Sequence, residues 1–372
     1  MDQPSGVAGR DWRGDDVRAA FVQQIAYCRA NEAPLTGRVC AALLAALDRA
    51  EGNAFLTAIR DWRGTPLPDA LPLRAAGGLH ALRIAGGEPG LDAIYRQEAA
   101  DDAGVVLDVA ARRAADLLPW LDGPPQTNEA GRSANFMAAL LWLAAQGMPP
   151  RFECLEIGSS AGINLMMDRY RYDLGGVGIG PDAPAMAFTP EWRGPPPPQR
   201  SIEITALRGC DVSPVDLTDP AQALRLKAYV WPEHTVRFAR LEAAIAAART
   251  ARPDLVRMRA GDFVEAELAR PQAEATTRVL MHSIVWQYLP ADERARICAA
   301  MAAAGSRASA ARPLAWVAVE TNPTGFVHEL TVRSWPGGER LRLGVAHAHG
   351  AWLEWLEQPV SSSLEGEQVD PG

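Results

Sequence analysis

The chain has 372 residues, enough for one large core or two modest ones, with 37 basic residues against 45 acidic and a formal net charge of -8. That balance argues against a general nucleic-acid or membrane-surface binder, which carries a basic patch or stripe. Lys227 is the sole lysine, so Schiff-base chemistry has a single candidate. Cys28, Cys40, Cys154, Cys210 and Cys298 lie far apart with no CxxC pair, which fits reduced thiols better than a disulfide framework or a zinc site. The start has no charged-then-apolar signal pattern and no apolar run approaches bilayer length, so a soluble, cytoplasmic protein is expected.

Residues 1 to about 14 are polar and glycine-rich and read as a loose end. From there to about Gln146 the pattern is helical. Val17, Phe21, Ile25 and Cys28 recur at helix spacing, as do Val39, Leu43, Leu44 and Leu47. The proline- and glycine-rich stretch 64–90 reads as loops around a short helix at 71–84. Helices are expected at about 104–121 and 128–146, the second stopped by Gly147 and Pro149. Residues 1–147 therefore form an all-helical region, expected to act as a lid or substrate-shaping part.

Strand and helix alternate beyond it. Phe152 to Ile157 reads as a buried strand, Gly158 to Gly162 as a small-residue turn, and Ile163 as the start of a helix. An insert follows at about 168–200, a hairpin or meander ending in the proline run 195–198. Further strands are expected at 202–207, 255–259, 278–281 and 314–320, with helix over most of 222–250 and at 292–304. Two alternating runs around Pro336-Gly-Gly338 indicate a C-terminal antiparallel hairpin. The expected class is α/β over 148–360, a mostly parallel, Rossmann-like sheet with one reversed edge and helices on it, followed by a flexible tail at 361–372.

The turn carries the chemistry. Small residues let a ligand reach the backbone at a helix start, and Glu156, two places before Gly158, suits a ligand that also carries positive charge. The order Glu156, Gly158 and Gly162, then Asp211, then Asp262 before Phe263, at successive strand ends, resembles the layout of Rossmann-like S-adenosylmethionine-dependent methyltransferases. Carboxylates accept from ribose hydroxyls and an adenine amine, and an acidic surround favours sulfonium and ammonium groups. Ser160 departs from the middle glycine common in that class. Two other readings stay open. Gly158-Ser159-Ser160-Ala161-Gly162 matches the hydrolase elbow G-x-S-x-G, with Ser160 as nucleophile, Asp211 or Asp262 as acid and His347 or His349 as base. The helical character of everything before Phe152 counts against it. A nicotinamide site would need glycine at positions 160 and 163 and an acidic residue about 20 positions on, and has neither.

The runs Gln126-Thr-Asn-Glu-Ala-Gly-Arg-Ser133, Leu155 to Leu165 and Asp168-Arg-Tyr-Arg-Tyr172 resemble a bacterial family known only as a domain of unknown function (family 2332). Arg208 to Pro214, Trp231-Pro232, His282-Ser283 and His349-Gly350 fit it too. The resemblance implies a methyltransferase-like fold and no settled substrate.

The candidate cofactor contacts are Asn128, Arg132, Glu156, Gly158, Ser159, Ser160, Gly162, Asp211, Asp262, Phe263 and Ser283. Arg132 is a two-pronged donor for a carboxylate, against a plain helix-capping role for the residues around it. His282 follows the fourth strand, where a general base for an oxygen or nitrogen nucleophile belongs, and Glu320 ends the fifth. Trp286, Tyr288, Tyr170 and Tyr172 fit packing positions. His347 and His349 have same-face spacing but no third metal ligand in view. A methyltransferase acting on an unidentified small molecule is the expectation, with a non-catalytic cofactor-binding or interaction module of the same fold as the other class.

Overall fold

The computed structural model describes residues 14–322, 325 and 327–359. The loose N-terminal end and the 361–372 tail read from the sequence lie outside them, apart from Gly14. The chain opens with helices α1 (Gly14–Ala30), α2 (Pro34–Leu47), α3 (Ala54–Arg60), α4 (Leu71–Ala85), α5 (Pro89–Tyr95), α6 (Asp102–Arg112), α7 (Ala114–Leu117) and α8 (Ser133–Ala145). Strand β1 (Arg151–Ile157) leads through a 3-10 turn to β2 (Tyr170–Leu174), β3 (Val177–Ile179), β4 (Met186–Phe188), β5 (Glu191–Arg193) and β6 (Glu203–Asp211). Then come α9 (Pro220–Ala228), α10 (Thr235–Thr250), β7 (Asp254–Arg257), α11 (Ala260–Ala269), β8 (Thr277–Ser283), α12 (Ala291–Gly305) and β9 (Leu314–Thr321). Strands β10 (His328–Trp335), β11 (Arg340–Ala346) and β12 (Trp352–Pro359) end the described chain.

The chain divides into two units, one of Met1–Thr127 with Asp219–Ala239, the other of Asn128–Thr218 with Arg240–Gly372. This differs from the split at 147. Helix α8 is apolar nearly all round and buried along most of its length, so it packs as part of the sheet-containing unit. In the helical unit, α9 returns to α4, and the Glu233 carboxylate accepts both the N–H and the hydroxyl of Thr36 at 2.8 Å. That bond caps the first turn of α2 from a segment nearly two hundred residues later, which no local pattern announces. Phe21, Leu43, Leu56, Leu79, Val106 and Leu117 meet in its core. Asn53 caps α3 and Asp101 caps α6, each accepting from the backbone N–H three residues on. The helix expected at 104–121 is interrupted and becomes α6 and α7.

The second unit is a mixed α/β structure with a nine-stranded sheet in the order β5-β12-β11-β10-β9-β8-β1-β6-β7. Strands β7, β6, β1, β8 and β9 run parallel, and β10, β11 and β12 follow as an antiparallel meander. The hairpin read around Pro336 is β10–β11. From β1 the chain builds outward to β6 and β7, then crosses back to β8 and β9 on the other side. Strand order therefore reverses at β1, and the crevice at the carboxyl ends beside such a reversal is where ligands gather in open α/β sheets. The insert forms a three-stranded sheet, β3-β2-β4, with Tyr170 and Tyr172 buried beneath Phe188. Its last strand, β5, closes the far edge of the large sheet against β12.

Candidate functional site

The bend after β1 is built from its own backbone and from the next strand. Gly158, Ser160 and Gly162 have φ of 67°, 51° and 70°. The glycines take this left-handed region freely, whereas Ser160 bears the Cβ cost there. Hydrogen bonds hold the bend in place. Ser159 N–H donates to Cys210 O at 3.0 Å, and its hydroxyl donates to Glu156 O at 3.1 Å. Ser160 N–H donates to Asp211 Oδ2 at 2.9 Å, and Ile163 N–H donates to Asn128 Oδ1 at 3.0 Å. Asp211 Oδ1 accepts from Ser213 N–H at 2.8 Å. Asn128, Ser159 and Asp211 thus shape the bend itself. The residues after it are a short 3-10 helix, Asn164–Arg169, and not the α-helix expected from Ile163. Tyr170 and Tyr172 explain the difference, because their hydroxyls donate to Ile163 O and Met167 O and pull the segment directly into β2.

Glu156 lies on the inner side of this bend, 2 % exposed. Its Oε1 accepts from Asn164 Nδ2 at 2.7 Å, while Oε2 is buried without a hydrogen-bond partner. Burial pushes its pKa up to about 7, against the opposing pull of Asn164, Ser159 and Arg132. A carboxylate so placed is short of a cation or a donor. Asn164 Oδ1 and Ser160 Oγ are likewise buried and unpaired.

Across the reversal, Val285 lies against Gly158, and a Cβ at Gly158 would collide with Val285 Cγ2. His282 is buried in β8 and stacked on Trp286, with ring centroids 5.3 Å apart. The Trp316 indole N–H donates to its Nε2 at 2.9 Å, and its Nδ1 meets Glu320 Oε1 at 2.6 Å. Because Nε2 accepts, Nδ1 carries the proton and donates it to Glu320. With both nitrogens engaged, His282 has no lone pair to offer a substrate, which corrects its reading as the general base. Glu320 Oε1 also accepts from Val285 N–H at 3.1 Å, and Oε2 takes no hydrogen bond from a described residue. The pair therefore presents a carboxylate aimed by an imidazole.

Several other expectations change. Asp262 sits in the first turn of α11, beyond the end of β7, and its Oδ1 accepts from Arg296 Nη2 of α12 at 2.8 Å. It is engaged in a half-exposed ion pair. Phe263, 1 % exposed, belongs to the apolar core with Leu155, Leu280 and Ile297. Arg132 Nε donates to Ala348 O at 2.8 Å and Nη1 to Ser283 O at 3.5 Å, so Arg132 links the end of β8 to the segment after β11, with Ser283 offering its carbonyl. Tyr288, expected to pack, is 68 % exposed, while Trp286 is buried. Ser160 Oγ has no hydrogen-bond partner, so the bend contains no assembled serine triad.

Residues 18–355 match the family described as an uncharacterized protein conserved in bacteria (DUF2332). The chain belongs to that family. Nothing among the curated proteins or the solved structures matches it. In this DUF2332 chain the sequence reading missed Asn164, the one polar residue in an apolar run, which is itself a signal of a buried hydrogen bond. It also missed Val212 and Met258, 67 % and 36 % exposed. They adjoin Asp211, whose carbonyl accepts from Met258 N–H at 3.1 Å. Exposed apolar side chains beside a carboxylate at the carboxyl edge of a parallel sheet are what a flat ring would cover.

Proposed function

We propose that the sheet-containing unit binds S-adenosylmethionine at the carboxyl ends of β1 and β6 and transfers its methyl group to a small molecule. The observation that carries this reading is the buried, unpartnered Oε2 of Glu156 beside the glycine bend, next to the reversal of strand order. A group with an ammonium and a sulfonium supplies the missing charge, and a carboxylate in low dielectric attracts it far more strongly than in water. Val212 and Met258 would flank the adenine, and the remaining lone pairs of Asp211 would meet the ribose hydroxyls. Asp262, held by Arg296, has no part in the site as now drawn. Bound there, the cofactor supplies an electrophilic methyl group. The chain's own contribution is alignment, with Glu320 as the proton acceptor and His282 as the residue that positions it.

Calorimetric titration of S-adenosylmethionine and its demethylated product tests the reading directly. Wild type is expected to bind both, with Val212→Asp and Asp211→Ala binding more weakly. No heat from wild type at millimolar ligand would reject the cofactor. Binding without methyl transfer across a broad metabolite panel would make the unit a cofactor-binding module.

A further inference from the structure

The helical unit holds two cysteines that meet across its first pair of helices. Cys28 lies in the last turn of α1 and Cys40 in the second turn of α2. Gly37, one turn before Cys40, marks the close approach, since a Cβ there would lie 3.3 Å from Cys28 Cβ. The Cys40 thiol hydrogen-bonds to the Cys28 sulfur, and the Gln24 amide donates to that same sulfur at 3.4 Å. The bond from Cys40, helped by Gln24, holds the Cys28 thiol below its ordinary range against the opposing push of burial and of Glu233. Cys40 goes the other way, raised by its bond to Cys28, by burial and by Glu233. The pair is divided into a sulfur that releases its proton more easily and one that keeps it.

Cys154 and Cys210 of the other unit supply the contrast. Both are buried, and burial is the main cause that pushes their thiols up. Cys28 and Cys40 are each 0 % exposed, so an oxidant reaches them when the helix end opens. The turn after Cys28 suits that step. Cys28 O accepts from Asn31 and Ala33 N–H at 3.2 and 2.9 Å, and Glu32 between them holds a left-handed φ of 54°, which its Cβ makes costly. A last helical turn of this kind opens at less cost than a helix interior.

We propose that Cys28 and Cys40 are an oxidation site, forming a reversible disulfide that locks α1 to α2. With hydrogen peroxide as oxidant, the Cys28 thiolate attacks one peroxide oxygen and the O–O bond breaks. The departing hydroxide takes up a proton and leaves as water, with Cys28 now the sulfenic acid. The Cys40 sulfur then attacks the Cys28 sulfur, the S–O bond breaks, and hydroxide carries off the Cys40 proton as a second water. The two thiols together lose two electrons and the peroxide gains them. An external dithiol reverses the step by exchange. The proposal is independent of the methyl-transfer reading, which concerns the other unit.

The test exposes the full folded chain to hydrogen peroxide, blocks the remaining thiols with N-ethylmaleimide in urea, and digests with trypsin. Cleavage after Arg18, Arg29, Arg38 and Arg49 puts the two cysteines in peptides 19–29 and 39–49, so the disulfide appears as one linked mass that dithiothreitol splits. That species is expected before Cys154 or Cys210 is modified. Amide exchange in the turn at 31–33 should slow about tenfold in the oxidised chain and recover on reduction. Cys28→Ser should leave Cys40 reduced, whereas Cys40→Ser should stop at a Cys28 sulfenic acid that dimedone traps. Wild type with both thiols fully alkylated after peroxide, linkage formed only in the unfolded chain, or Cys40 oxidised as fast in Cys28→Ser as in wild type would each overturn the proposal.

Discussion

Replacing Glu156 with glutamine gives a sharp measure of how the bend is built. In the folded chain burial pushes this carboxyl from 4.5 up to about 7. Between those values the folded state keeps the proton that the unfolded chain has released, so wild-type stability falls as pH rises through that window. At about 1.4 kcal/mol per tenfold change, the loss between pH 5 and pH 8 comes to about 2–3 kcal/mol. Glutamine keeps the oxygen that accepts from Asn164 Nδ2 and cannot ionise. Urea unfolding of wild type and Glu156→Gln across this range isolates the term, because every titration the two proteins share cancels in the difference. The variant should gain on wild type by about 2–3 kcal/mol from pH 5 to pH 8. A carbon-detected carboxyl titration should find Glu156 protonating near neutrality. Parallel stability curves, or an ordinary carboxylate titration, would refute the argument from burial. Should S-adenosylmethionine bind as proposed, its positive charge would lower this pKa, and binding near pH 6 should release protons to the buffer.

Gly158→Ala should cost more than the roughly 1–2 kcal/mol of a left-handed alanine, because its Cβ also meets Val285, and Val285→Gly, which removes the Cβ as well as both methyls, should recover more of that excess than Val285→Ala in double mutants followed by thermal melting. Glu320→Ala strips the acceptor from His282 Nδ1–H and Val285 N–H and should lower stability by about 2–3 kcal/mol, with Glu320→Gln recovering much of it. Asp262→Ala should leave S-adenosylmethionine affinity unchanged in the titration above, since the carboxylate is engaged with Arg296; a clear loss would return Asp262 to the site.

The parts legible in the sequence were those with local causes. Two alternating runs around Pro336-Gly-Gly338 gave the hairpin, and apolar runs ending at Ile157 and Met281 gave two strands, which pair in parallel. The bend at Gly158 was legible because its glycines are needed where φ is positive. Asp262 was misplaced because Arg-Ala-Gly-Asp reads equally as a strand tip or as the first turn of a helix. Glu293 decides the matter from α12 by accepting from Gly261 N–H at 2.8 Å, a partner thirty-two residues away. The role of His282 was obscured likewise, since Trp316 and Glu320 come from the next strand and only the register of β8 against β9 brings them to the ring. Residues 191–193 carry no strand signal of their own, and it is pairing with β12 that makes them one.

The return of Asp219–Ala239 to the helical unit has a consequence for how the protein is made. A ribosome releasing the first 147 residues has delivered α1 to α8 but not α9 or Glu233, so Thr36 still lacks its cap and α4 its neighbour. Synthesis must pass through β1 and β6 before the earlier unit can finish. A fragment cut at 147 would be a truncation in the middle of a fold, and a useful dissection has to carry the later segment with it.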